Sequence, residues 1–228
     1  MNVTEFQRLL GACAEVNAYF PDGVVFIGGI AVYLHAINHP GTTALAETTH
    51  DADFYVSFAD MADLREIEDV TPNRRLSKHQ MVKHGFEFDV YTERQSSLIV
   101  PYDAVVAHSV VFEGLRAAAL EHLLALKLEA FSDRKASAKG EKDARDILRI
   151  CAIAAERGGF DPDLARPYLS DEHDALLRQV VKGPQAVTLA GGNAQAAKRI
   201  RRQGEAILAA VSADPRPAVA PAPPRPKG

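Results

Sequence analysis

The rhythm of apolar and polar positions changes near residue 115. Over residues 2–19, Phe6, Leu9, Leu10, Cys13 and Val16 recur at helical spacing, which predicts an amphipathic helix. A Pro21-Asp22-Gly23 turn follows, then a fully apolar, β-branched run at 24–27 that reads as a buried strand. Gly28-Gly29 ends that strand, and a helix is expected over 30–37. The polar stretch 38–50 reads as a loop, 51–58 alternates as a second strand, and 60–69 reads as a helix. Strands are expected at 81–84 and 86–91 around Gly85, with further strand-like pieces at 97–100 and 108–112. Beyond Leu115 the period becomes helical throughout, with helices expected over 117–131, 140–155, 171–181 and 194–211.

This pattern predicts an α+β fold: a mixed α/β lobe over 1–115, an all-helical lobe over 116–212, and a Pro-rich flexible tail over 213–228. An apolar fraction of 47% in 228 residues is ample for a core and excludes global disorder. The longest apolar stretch, near 117–128, is broken by Glu121, His122 and Lys127, so no membrane span is expected. MNVTEFQRLL lacks a basic-then-apolar secretory pattern, and the expected compartment is the cytoplasm. Cys13 and Cys151 lie far apart in helix-like patterns, which argues against a disulfide framework or a Cys-based zinc site.

Charge changes at the same boundary. Residues 1–115 carry a net −9 and residues 116–228 a net +5. Such a division suits a protein that gathers metal with one half and an anion with the other, or simply two lobes that attract each other.

Three acids sharpen the first option. Asp51 and Asp53 are one residue apart at the start of a strand, so both carboxylates share a face. Their repulsion calls for a hard metal between them or full solvation. In Phe86-Glu87-Phe88-Asp89-Val90 the alternation sets Asp89 on a carboxylate face opposite an apolar one. Three carboxylates beside a glycine turn that can approach a phosphate match what two-metal phosphoryl transfer needs. Each residue also has a plainer role: a steric Gly-Gly strand end, a solvated Asp-x-Asp loop, an exposed edge-strand acid. A His-Asp phosphohydrolase built on His50-Asp51 would need a helical context and further His ligands at helical spacing, which the surrounding residues do not supply. Lys198-Arg199-Ile200-Arg201-Arg202 could hold an RNA backbone or form a solvated helix face.

Gly28-Gly29 after a strand, Thr49-x-Asp51-x-Asp53 opening the next and a later strand Asp89 together resemble the nucleotidyltransferases of the DNA polymerase beta superfamily. Lys127, Asp133-Arg134 and Lys142-Asp143-x-x-Asp146 are similar to the AbiE-type members, toxins of abortive-infection toxin–antitoxin pairs. The resemblance spans roughly residues 22–150. It implies a nucleotidyltransferase-like mixed sheet with flanking helices, and an NTP substrate whose phosphates meet Gly28, Gly29 and Thr49. Asp51, Asp53 and Asp89 would hold two Mg2+ ions (Mn2+ as a substitute), with Asp89 helping to deprotonate the acceptor. Lys127 would contact the triphosphate, and Asp143 or Asp146 would orient Lys127 or the nucleotide. The implied acceptor is RNA, a tRNA 3′ end in toxin-type relatives, with an antitoxin protein as partner. A small-molecule (aminoglycoside-like) or protein acceptor, or a non-catalytic member binding a nucleotide or partner, are the other implied outcomes. One position departs from the family pattern. Glu47 stands where these proteins usually carry Arg, so either a nearby cation such as Lys78 or Lys83 balances it or this loop contacts something else.

Overall fold

The computed structural model describes residues 2–93 and 98–213. The Pro-rich tail from residue 214 onward, and Ser97 of the strand expected at 97–100, lie outside the described residues.

Helix α1 (Val3–Tyr19) begins where Asn2 Oδ1 accepts the Glu5 amide at 2.8 Å. Strand β1 (Val25–Ile27) passes directly into α2 (Gly28–Ile37). A 3-10 turn at Pro40–Leu45 lies within the segment read as loop, and β2 (Asp51–Val56) and α3 (Phe58–Ile67) follow. The Ser57 hydroxyl caps α3, which shortens the strand expected to reach residue 58. Next come β3 (Thr71–Asn73), β4 (Lys78–Lys83), β5 (Phe86–Thr92), α4 (Tyr102–Ala107), β6 (Val110–Phe112) and β7 (Leu115–Ala117). Leu98–Val100 is irregular, and the strand expected from His108 begins at Val110 because α4 runs to Ala107.

Helix α5 (Leu120–Arg134) starts three residues later than its apolar pattern, since Leu115–Ala117 is drawn into the sheet beside β1. Helices α6 (Ala138–Arg157), α7 (Pro162–Ala165), α8 (Asp171–Lys182), α9 (Gln185–Leu189) and α10 (Ala194–Ser212) complete the chain. Ser137 caps α6, Ser170 and His173 form a reciprocal capping box on α8, and Asn193 caps α10. No helix among the described residues is long and apolar enough to cross a membrane.

The seven strands form one mixed sheet in the order β3-β4-β5-β2-β1-β7-β6. β2 lies antiparallel to β1 and parallel to β5, and the latter register sets Asp53 beside Asp89. The strand period of two then sorts the side chains. Phe54 on one face packs edge-on to Phe26 at 6.1 Å and Phe88 at 6.2 Å, while Asp51, Asp53, Asp89 and Tyr91 go to the other. Helix α2 packs against α5 and α6, and one continuous apolar cluster joins the sheet to the helices behind it. The architecture is α+β: a mixed sheet with flanking helices.

Candidate active site

The acids converge by register. Asp51 and Asp53 point the same way from β2, and Asp89 is the direct β5 neighbour of Asp53. Gly28, the first residue of α2, lies beside them with φ +63°, and a Cβ there would lie 2.1 Å from Asp53 Oδ2. Only glycine fits, because both the left-handed backbone and the carboxylate exclude a side chain. A Cβ on Gly29 would likewise press on Thr49, 3.1 Å away. The N-terminus of α2 therefore opens directly onto the acid face.

The two β2 acids have opposite electrostatics. Burial, with Asp51 and Asp89 close by, pushes the Asp53 carboxyl up to about 6. Burial also opposes the charge of Asp51, but the Thr49 hydroxyl, Lys142 and Lys139 outweigh it and hold this carboxyl below its usual range. Thr49 Oγ1 donates to Asp51 Oδ1 at 2.6 Å and accepts from Lys142 Nζ at 2.9 Å. Both Asp89 oxygens are engaged: Lys78 Nζ sits on Oδ2, and Gln80 Nε2 donates to Oδ1 at 3.2 Å. The described residues accordingly hold no preformed group of three acid, His or Cys side chains arranged around a metal position.

Behind the acids lies a buried charge network. Lys127 Nζ is 2.7 Å from Asp146 and 3.2 Å from Asp143. Burial disfavours its charge, yet the two carboxylates outweigh this and hold the ammonium above its usual range, with Asp53 adding to the effect. Arg134 grips Asp143 through two bonds, at 2.7 and 3.1 Å, and Arg149 donates to Asp146 at 2.8 Å. The α5–α6 pair thus sets its own ionic centre against the floor of the acid face.

Glu47 is balanced from an unexpected direction. Arg149 holds it by a charge-assisted bond and Arg145 approaches at 3.4 Å, both from α6. Burial opposes its ionisation, but the two guanidinium groups keep the carboxyl below its usual range. Lys78 and Lys83, the cations expected beside Glu47, are engaged elsewhere. Lys78 is on Asp89, and Lys83 is bound to Glu68 and Tyr19.

Of the residues read from the sequence, Gly28, Gly29, Thr49, Asp51, Asp53 and Asp89 come together at one surface. Lys127, Asp143 and Asp146 form the layer beneath it. Lys78 was expected at Glu47 and stands on Asp89 instead, and Gln80 and Arg149 were missed. The strand expected at 81–84 begins at Lys78 and so carries Lys78 and Gln80, which the expected bounds left out, and nothing local marked Arg149.

No protein-family model matches the chain, and no curated protein matches it. Solved structures do. The Megavirus polyadenylate synthase is 13% identical over 64% of this chain and 32% of its own, with a TM-score of 0.49, so the chain spans about a third of that protein. An antigenic nucleotidyltransferase-like protein from Paracoccidioides brasiliensis is 15% identical over 87% of this chain and 94% of its own, with a TM-score of 0.50. At that identity the likeness is one of architecture, and the chain has the α+β fold of a nucleotidyltransferase-like protein.

Proposed function

We propose that this chain is a magnesium-dependent nucleotidyltransferase that moves a nucleoside monophosphate from an NTP to an acceptor hydroxyl. The observation that carries this reading is the Asp51–Asp53–Asp89 face opened by a glycine that only a backbone can occupy. The donor set suits a hard cation: all oxygen, with one carboxyl driven toward protonation by burial and by its two acidic neighbours. Asp51, Asp53 and Asp89 would hold two Mg2+ ions, which when bound supply charge neutralisation for the triphosphate and the departing pyrophosphate.

The chain's own residues do the rest. Backbone N–H groups of Gly28 and Gly29, at the start of α2, receive the phosphates, and Thr49 steadies Asp51. Asp143 and Asp146 orient Lys127, whose charge underlies the triphosphate. The acceptor oxygen attacks the α-phosphorus, the bond to pyrophosphate breaks, and the hydroxyl proton passes to the Asp89 carboxylate.

RNA is the proposed acceptor, a tRNA 3′ end in particular. Lys139 is exposed and acts electrostatically on Asp51, which favours a polyanion over a cationic small molecule. Action as the toxin of a toxin–antitoxin pair, with an antitoxin partner, rests on the sequence resemblance alone.

Incubation with each labelled NTP, Mg2+ and total RNA tests the reading. Label should enter RNA with the wild type and stay at background with Asp51→Ala/Asp53→Ala. No labelling of RNA, protein or small-molecule acceptors by the wild type would sink it.

A further inference from the structure

Asp89 is the one acid of the trio with both oxygens engaged by neighbouring side chains. Strand β4 supplies those partners. Its alternation puts Lys78 and Gln80 on the acid face, and the register sets Gln80 opposite Asp89. Asn73 Nδ2 donates to Gln80 Oε1 at 2.9 Å, which fixes the amide so that its nitrogen points at Asp89 Oδ1. Lys78 reaches diagonally across to Oδ2.

Two other cations near the face have anchors of a different kind. Lys127 is buried between two helix carboxylates, and Lys142 donates to the Thr49 hydroxyl. Lys78 differs in place. It is the first residue of a strand near the sheet edge, its side chain is 13% exposed, and it follows a tight turn closed by Ser77 in the left-handed region at φ +49°. Its unbranched stem can withdraw toward solvent without disturbing the core.

We infer that Lys78 is a tethered counter-ion that holds Asp89 until a divalent cation displaces it, so that Lys78 sets the metal affinity of the acid face. The inference rests on the proposed metal role of Asp51, Asp53 and Asp89. Two occupants compete for one carboxylate, and by linkage each weakens the other. While Lys78 stays in place the face offers two acids, and its release supplies the third.

Calorimetric titration with Mn2+, with no nucleotide present, reads this directly. Lys78→Met keeps an unbranched stem one atom shorter and removes the charge, and should bind Mn2+ about tenfold more tightly than the wild type. Lys78→Arg retains the charge and should bind no more tightly than the wild type. Circular dichroism confirms that each variant is folded. A second measurement needs no variant: acylation of Lys78 by an amine-reactive reagent, followed by peptide mass spectrometry, should increase several-fold when Mn2+ is added. Equal affinity in the wild type and Lys78→Met, equal tightening by Lys78→Arg, or acylation indifferent to Mn2+ each overturns the inference. If Asp53→Asn still abolishes binding in that case, the metal site stands without it. Binding by neither the wild type nor Lys78→Met overturns the metal site and the inference together.

Discussion

His122 lies in α5 with its ring edge-on to Tyr168 and His108, and its buried Nδ1 has no hydrogen-bond partner among the described residues. Burial, aided by His108, pushes its pKa down to about 4. His35 is also pushed to about 4, chiefly by burial, although its Nε2 donates to the Ala118 carbonyl at 2.8 Å. In the unfolded chain both rings titrate near 6.5. Between that pH and about 4 the unfolded chain takes up protons that the folded chain refuses. Stability is therefore complete above 6.5 and falls as the solution is acidified, by up to about 3 kcal/mol per ring. His122→Phe retains a ring without the titration. In urea unfolding between pH 7.5 and 4.5 it should lose up to about 3 kcal/mol less than the wild type. Parallel profiles for the two proteins would show that His122 does not contribute. A different kind of residue-level information was legible in the sequence. The alternation around Asp51, Asp53 and Asp89 carries their shared face, because a strand's period is local. The partner of a side chain across a strand is not local, so Lys78 on Asp89 and Arg149 on Glu47 left no trace.

Elements were legible where local chemistry defines their ends. The Ser, Asn and Gly caps bracket α1, α6, α8 and α10 within a few residues of the apolar pattern. Thr71–Asn73 and Leu115–Ala117 were not, since neither carries the apolar, β-branched run that marked β1 and each is a strand only through the neighbour that pairs with it. One contact between elements was equally hidden. Gly204 brings α10 so close to α8 that an added Cβ would lie 2.6 Å from Val181 Cγ2. A valine branch has no flexible end to move aside, so the helices must separate or the side chains packed around them must shift. Gly204→Ala should cost about 1–3 kcal/mol. Val181→Ala removes the obstructing methyls, and in the double variant the two losses should sum to less than their separate values. Strict additivity in a denaturant-monitored cycle would mean that α8 and α10 are held apart by something else.

At the scale of the molecule, the charge division acquires a geometry. Part of the front half's net −9 is concentrated on the face of Asp51, Asp53 and Asp89, while Arg134 at the end of α5 and Lys139 and Lys142 on α6, all from the basic half, act on it. The densest basic run in the sequence is divided by its helix. Ile200 enters the core, Arg201 donates to the Gly183 carbonyl at 3.2 Å, and Lys198, Arg199 and Arg202 are exposed. A polyanionic acceptor led to the acid face should then feel the α5–α6 cations before those of α10. Lys139→Gln should weaken binding of a single-stranded RNA. It should also reduce the slope of log affinity against log salt by about 0.7, the contribution of one phosphate no longer neutralised. Lys198→Gln/Arg199→Gln/Arg202→Gln removes two charges more, yet should leave the slope near the wild-type value. Fluorescence anisotropy across a salt series separates the two. A larger drop in slope for the α10 variant would move the RNA path away from the α5–α6 rim and onto that helix.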